Sequence, residues 1–303
     1  MAHTTGRGRT ALVAVIGGAL LLGGCGSTGA SQESKVDLHA LLPESVRKAG
    51  VLKVGTSFTA APVVYRNDRN EADGLDPHLA EKLGAALGVR LELQDAGPFA
   101  NVLPGLMSHQ FDIAMSGITD TREREEGLDK DGNQTGPGVD FVDYFMAGIG
   151  LAVKKGNPQN ITDIDHLCGH TVVVKKGTTH DDLVQRQAKV CGHDSKPLKM
   201  VETDDDTSAL EKLKGSADAF ITDYPKAQYA TRTVDNGNAF QIGGAQIQPR
   251  PFGIAVRKED AALRDVLMRA MNRLITDGTY DQVLADHDLA VGAIQNSVIN
   301  GST

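Results

Sequence analysis

Tryptophan is absent from the 303 residues, and cysteine is scarce at three. Positive charge is short as well: 31 Lys and Arg stand against 39 Asp and Glu, giving a formal net charge of -8 and a pI near 5.6. No stretch forms a basic stripe, so no nucleic-acid partner is expected. The common enzyme fingerprints are missing too: no Walker loop, G-x-S-x-G or H-E-x-x-H occurs. What remains is 40% hydrophobic residues and a mean hydropathy of -0.23, the balance of a soluble globular chain with a real core. The length allows one large domain or two modest ones.

A long apolar run occurs at the very start. "ALVAVIGGALLLGG", residues 11–24, is too short and too glycine-rich for a stable membrane span. It follows "MAHTTGRGRT", which carries Arg7 and Arg9 and no acid. Together these read as a signal peptide over residues 1–24, and its removal would take the charge from -8 to -10. The run ends in "LLGGC", which resembles the bacterial lipobox and makes Cys25 the lipid-bearing first residue of the mature chain. "GSTGASQESK" is small and polar, and residues 25–45 are assigned to a lipid-anchored tether. Cys168 and Cys191 then remain in an oxidising compartment, where a disulfide is the simple expectation. The rival is a metal site with His166, His170 and His193, but the spacing fits no usual zinc pattern. Neither a metal nor a cofactor is expected.

From about residue 46, apolar strands and amphipathic helices alternate. "VLKVGTS", "RLELQD" and "FDIAMS" read as strands. "GLDPHLAEKLGAALGV" reads as a helix, with Asp76 as N-cap, Pro77 in the first turn, Leu79, Leu83 and Leu87 on one face, and Gly88 as its stop. "FANVLPGLMSH" reads as a helix disturbed by Pro104. The loop "EEGLDKDGNQTGPGVD" breaks the rhythm, and a second alternating block starts near Gly148. "RPFGIAVRKED" returns as a strand. The long helix after it buries Leu263, Val266, Leu267, Ala270, Met271, Leu274 and Ile275, and "TYDQVLADH" makes another helix. Such alternation implies an α/β chain with a largely parallel sheet.

In order, "GVLKVGTS", "GLDPHLAEKLGAALGV", "SGITDTRER", "VDFVDYF", "VVVKKGTTHDDL", "ADAFITD", "FGIAVRKED" and "DGTYDQVL" resemble the family 3 extracellular solute-binding proteins, the amino-acid receptors of ABC importers. Each motif is weak alone, but the ordered set covers about residues 46–290. The resemblance implies a two-lobed periplasmic-binding-protein (type II) fold: two α/β lobes joined by two crossing hinge strands, with a ligand clamped between them. Lobe 1 is expected over 46–147 plus 249–291, lobe 2 over 148–248, and a tail over 292–303.

The resemblance also implies a site. An amino-acid carboxylate asks for a guanidinium and aligned N–H donors, and its ammonium asks for a carboxylate. "SGITDTRER" puts Arg124, rather than Arg122, at the carboxylate-gripping position, with Ser116, Gly117 and Thr119 as backbone and hydroxyl contacts. Thr179 matches a second carboxylate contact at a helix N-terminus, Asp223 the ammonium's partner, and Phe99 an aromatic packed on the ligand. Members that take cationic side chains usually carry an acid where Ser57 stands here, and an aromatic where Ala60 stands. Lys175 and His180 border the pocket instead. The implied ligand is therefore an amino acid with a neutral polar or acidic side chain.

The implied partners are that ligand, the permease and ATPase subunits of an importer, and the membrane through the lipid anchor; the protein itself is expected to be a monomer outside the cytoplasm. A receptor that senses rather than transports has the same binding chemistry. A cyclohexadienyl dehydratase-like enzyme on this fold needs a general acid or base in the cleft, and none is evident; no enzyme is expected. Asp129, Asp131, Asn133 and Asp140 follow a calcium-loop spacing, but Gln134 replaces the turn glycine and Asp140 the bidentate Glu. That stretch reads as a solvated loop.

Overall fold

A computed structural model describes residues 36–193 and 195–302; the signal peptide, Cys25 and the tether up to Lys35 lie outside the described residues. The chain opens with helices α1 (Leu38–Leu41) and α2 (Glu44–Ala49). Strands β1 (Val51–Thr56), β2 (Thr59–Ala60), β3 (Val64–Arg66) and β4 (Ala72–Asp73) lead into α3 (Leu75–Leu87) and β5 (Arg90–Asp95). Then come α4 (Val102–Met107), β6 (Ile113–Ala114), α5 (Arg122–Glu126) and the long β7 (Val139–Lys154). β8 (Thr171–Lys175), α6 (Thr179–His193), β9 (Lys199–Thr203), α7 (Asp206–Lys214), β10 (Ala219–Asp223), α8 (Tyr224–Thr233) and β11 (Phe240–Ile242) follow. The last elements are β12 (Ile247–Arg257), α9 (Ala261–Thr276) and α10 (Thr279–Asp286).

The main sheet runs β5-β1-β6-β12-β7-β10-β8-β9, with β11 also on β7. Both ends are parallel, whereas β7 and β12 are antiparallel to each other. β7 pairs with β12 over Val139–Ala147 and then with β10 over Ile149–Val153. It thus passes from one end of the sheet to the other at Gly148. A side chain there would strike Gln246 and Ile247, so the two long strands can cross only where β7 carries bare backbone. The apolar clusters divide accordingly. Two draw on residues 38–147 and 252–289, and two on residues 149–247.

Two local expectations change. α3 is capped at Gly74, not Asp76: Asp76 lies inside the first turn, fully buried, with its carboxylate turned away from its own helix. Gly74 sits at φ 112°, and a Cβ there would meet the carbonyl oxygens of Pro62 and Val63. Packing also starts within the stretch assigned to the tether, since Leu38 and Leu42 are buried in the first core. At the other end, Asp143 N–H donates to Val298 O (3.0 Å) and Asn300 N–H to Phe141 O (3.1 Å), so the tail lies along β7.

Candidate ligand site

The cleft between the two ends of the sheet holds two cavities, of about 500 and 590 Å³. The smaller is lined by Thr119, Arg124, Gly177, Thr179, His180 and Asp223, among others. Thr119 is fixed by a bridge to Phe252 of β12. Thr121 caps α5, its hydroxyl accepting from Arg124 N–H at 3.3 Å. That short helix turns Arg122 outward to an exposed pair with Glu126 (2.8 Å) and Arg124 inward. Arg124 Nη1 donates to Thr119 O (2.7 Å) and Nη2 to Gly177 O (3.4 Å), so its side chain spans the cleft and pairs with no carboxylate among the described residues. Desolvation lowers the Arg124 pKa, opposed by Asp182 and Asp223.

On the other wall, Thr178 shapes the turn before α6: its hydroxyl donates to Lys175 O (2.7 Å) and accepts from Asp181 N–H (3.2 Å). Thr179 is the first residue of the 15-residue helix, with its backbone N–H at the positive end of the dipole. Asp223 ends the fully buried β10 and stands at the cap position of α8, yet its side chain makes no cap bond. It faces Lys226 Nζ at 2.7 Å and His180 Nε2 at 3.4 Å. Burial would raise the Asp223 pKa, but Lys226, His180 and Lys175 together hold it below the usual carboxylate range. Burial lowers the His180 pKa despite Asp223, so the imidazole is neutral at pH 7.

Ser57, Phe99, Ser116, Gly117 and Lys175 are not among the residues lining either cavity. They form a tier beside them. Ser57 N–H donates to Ser116 Oγ (3.0 Å), and Ser57 Oγ shares a hydrogen bond with Thr59 Oγ1 (3.1 Å), which lines the larger cavity. Gly117, at φ 57°, donates to Asp76 Oδ2 (2.8 Å), while Tyr144 OH donates to Asp76 Oδ1 (2.6 Å). The Phe99 ring has Lys175 Nζ 5.4 Å and Arg124 Cζ 5.7 Å from its centroid, within cation–π range. Lys175 Nζ lies 3.1 Å from Asp206 Oδ1. Burial raises the Asp76 pKa to about 7 against the opposing pull of Tyr144, Gly117 and Lys226.

Lys226 and Asp76 escaped the sequence reading of the site. "DYPK" held the signal for Lys226, since Pro225 opens α8 and places Lys226 one turn beyond Asp223, close enough to pair.

Cys168 and Cys191 form a disulfide, which removes them from the rival metal reading. In the loop, Asp129 Oδ1 accepts from the N–H groups of Asp131 and Asn133, while Asp140 pairs with Arg264 at 2.6 Å. The four calcium-spaced residues therefore do not converge. Asp73, His78 and His287 place ligand-type atoms within 4.8 Å of one another. His78 Nδ1 and His287 Nε2 are 2.6 Å apart, the separation of a shared proton rather than of two nitrogens aimed at one cation.

Residues 52–287 match the family model of the bacterial extracellular solute-binding proteins, family 3. The chain belongs to this family. Among similar family members, the arginine-binding protein ArgT of Corynebacterium glutamicum is 26% identical over 267 residues, covering 87% of this chain and 83% of ArgT. The ABC transporter glutamine-binding protein GlnH of Bacillus subtilis is 27% identical, with 87% and 90% covered. The solved structure of an ancestral arginine-binding protein bound to arginine superposes with a TM-score of 0.70 at 32% identity, covering 78% of this chain and 98% of the other. The fold is the type II periplasmic-binding-protein fold, with two α/β lobes joined by β7 and β12.

Proposed function

We propose that this family member is the solute-binding lipoprotein of an ABC importer, holding a polar amino acid, neutral or acidic, between its lobes and handing it to a membrane permease. One observation carries the reading: Arg124 and Asp223, from opposite walls, line the same cavity. Arg124 supplies a guanidinium with no carboxylate partner among the described residues, suited to an α-carboxylate, with the α6 N-terminus at Thr179 beside it. Asp223 is a buried, ionised carboxylate suited to an α-ammonium. The lobes in this reading are 46–147 plus 249–291 and 148–248, and Cys25 holds the chain to the membrane. The relatives ArgT and GlnH take arginine and glutamine. For this chain the buried Lys175 and Lys226 speak against a cationic side chain.

A thermal-shift screen against amino acids finds the ligand, because whatever binds the native state raises its melting temperature. Calorimetry then tests the grip. Arg124→Ala and Asp223→Ala each leave a buried charge unpaired, at a cost of about 3–5 kcal/mol, and should weaken binding at least ~100-fold. Arg122→Ala should change affinity little. Near-normal affinity in Arg124→Ala would sink the proposal.

A further inference from the structure

Among the buried charged or titrating side chains at the cleft are Asp76, Lys175, His180, Asp206, Asp223 and Lys226. Lys226 reaches back one turn of α8 to Asp223 Oδ2 at 2.7 Å, with its ammonium 5.9 Å from the Phe252 ring centroid on β12. It also lines the larger cavity, whereas Asp223 lines the smaller, so this ion pair stands between the two. An α-ammonium that takes Asp223 must compete with Lys226 for one carboxylate. Two cations on one buried anion are costly, so Lys226 has to find another acceptor. Asp76 already accepts hydrogen bonds on both oxygens, from Gly117 and Tyr144, and Asp206, whose oxygens accept no hydrogen bond among the described residues, already faces Lys175 at 3.1 Å. Lys175 is short of an acceptor as well. Its ammonium is 3.1 Å from Asp206, but the two are not aligned for a hydrogen bond, and Lys175 Nζ has no hydrogen-bond partner among the described residues.

We propose that Lys226, supported by Lys175, is the side-chain selector of the site: it receives a carboxylate at the end of the ligand's own side chain, so the preferred ligand is an acidic amino acid of the glutamate or aspartate class. This rests on the α-group grip of Arg124 and Asp223. The charges then close in pairs: α-carboxylate with Arg124, α-ammonium with Asp223, side-chain carboxylate with the displaced Lys226, and Lys175 still beside Asp206. A cationic side chain would instead leave Lys226 unpaired and add a like charge next to it.

Calorimetry on the purified protein with L-glutamate, L-aspartate, L-glutamine and L-arginine reads the outcome. The better acidic ligand should bind at least tenfold tighter than glutamine and far tighter than arginine. Lys226→Met, close in length but uncharged, should lose that acidic ligand by 30-fold or more while glutamine is not weakened, because its α-ammonium no longer competes for Asp223; Lys226→Arg should restore the preference. Arginine or glutamine binding more tightly than both acids to the wild type would overturn the selector role, and would leave the α-group grip standing. Equal losses of the acidic ligand and glutamine in Lys226→Met would overturn it too. If none of the four binds, the selector is overturned; if no amino acid binds, or if Arg124→Ala does not weaken whichever binds, the underlying amino-acid reading fails and the selector falls with it.

Discussion

Gly177, on the rim of the smaller cavity, offers a test of lobe closure. It lies in the turn between β8 and α6 at φ 75°, and a Cβ built there would stand 2.9 Å from the Ala100 Cβ, across the cleft. Ordinary contact begins at 3.4 Å, so Gly177→Ala asks the walls to part by half an ångström. The methyl group has two costs. The left-handed backbone strains the free and bound protein alike, by about 1–2 kcal/mol. The clash with Ala100 exists only when the lobes are shut. At this exposed rim it should cost about 1–2 kcal/mol, the lower part of the overpacking range. Charged to the closed state alone, that weakens binding by roughly 5- to 30-fold. Gly169→Ala is the control: Gly169 has φ 87° and no atom within 4 Å of its built Cβ, so it carries the strain without the clash. Denaturation of the ligand-free variants should show similar losses, and calorimetry should show an affinity loss in Gly177→Ala only. Equal affinities in the two variants would refute the view that this contact belongs to the ligand-bound closed form.

Three further outcomes are expected. Reducing the Cys168–Cys191 disulfide, which spans a sequence separation of 23, should cost about 3 kcal/mol of stability in the loop-entropy account, measured by denaturation with and without reductant. Asp76 holds a proton up to about pH 7 in the folded state but only to about 3.8 when unfolded, so its contribution is present at low pH and lost as pH rises from about 4 to 7, by roughly 4 kcal/mol at most. Denaturation at pH 5 and pH 8 should therefore show a smaller drop in Asp76→Asn than in the wild type, and an unchanged drop contradicts this. Replacing Cys25 with Ser should shift the protein from the membrane fraction into the medium, and retention in the membrane would rule out the lipid anchor.

Strands buried on both faces announce themselves: "TVVVK" and "AFITD" are short apolar runs and became β8 and β10. β7 runs across the point near Gly148 where the second block is expected to start because Gly148 and Gly150 look like punctuation. Both sit inside one 16-residue strand, bare because Gln246 and Tyr224 approach them, which no local pattern reveals. α8 went unseen for another reason. "YPKAQYATRT" buries Pro225, Lys226, Ala227 and Ala230, a face too polar to show as an apolar stripe. Missing that helix meant missing Lys226. Asp76 followed by Pro77 imitates a helix start, and its real partners, Gly117 and Tyr144, lie 41 and 68 residues away. The two arginines of "SGITDTRER" were distinguishable by motif, and α5 sends them to opposite sides.

The double crossing of the sheet also sets the order in which the chain can become whole. Leu38, Leu52 and Leu83 share their core with Phe252, Leu267 and Leu284. Leu151, Val172, Val184 and Ile221 share theirs with nothing beyond Ile247. A polypeptide made or threaded from its N-terminus can therefore finish the inner core first, while the outer one waits with its leucines bare for the final helices. Asn300 N–H closes onto Phe141 O later still. The lobe that begins the sequence is thus the last whose core can be completed.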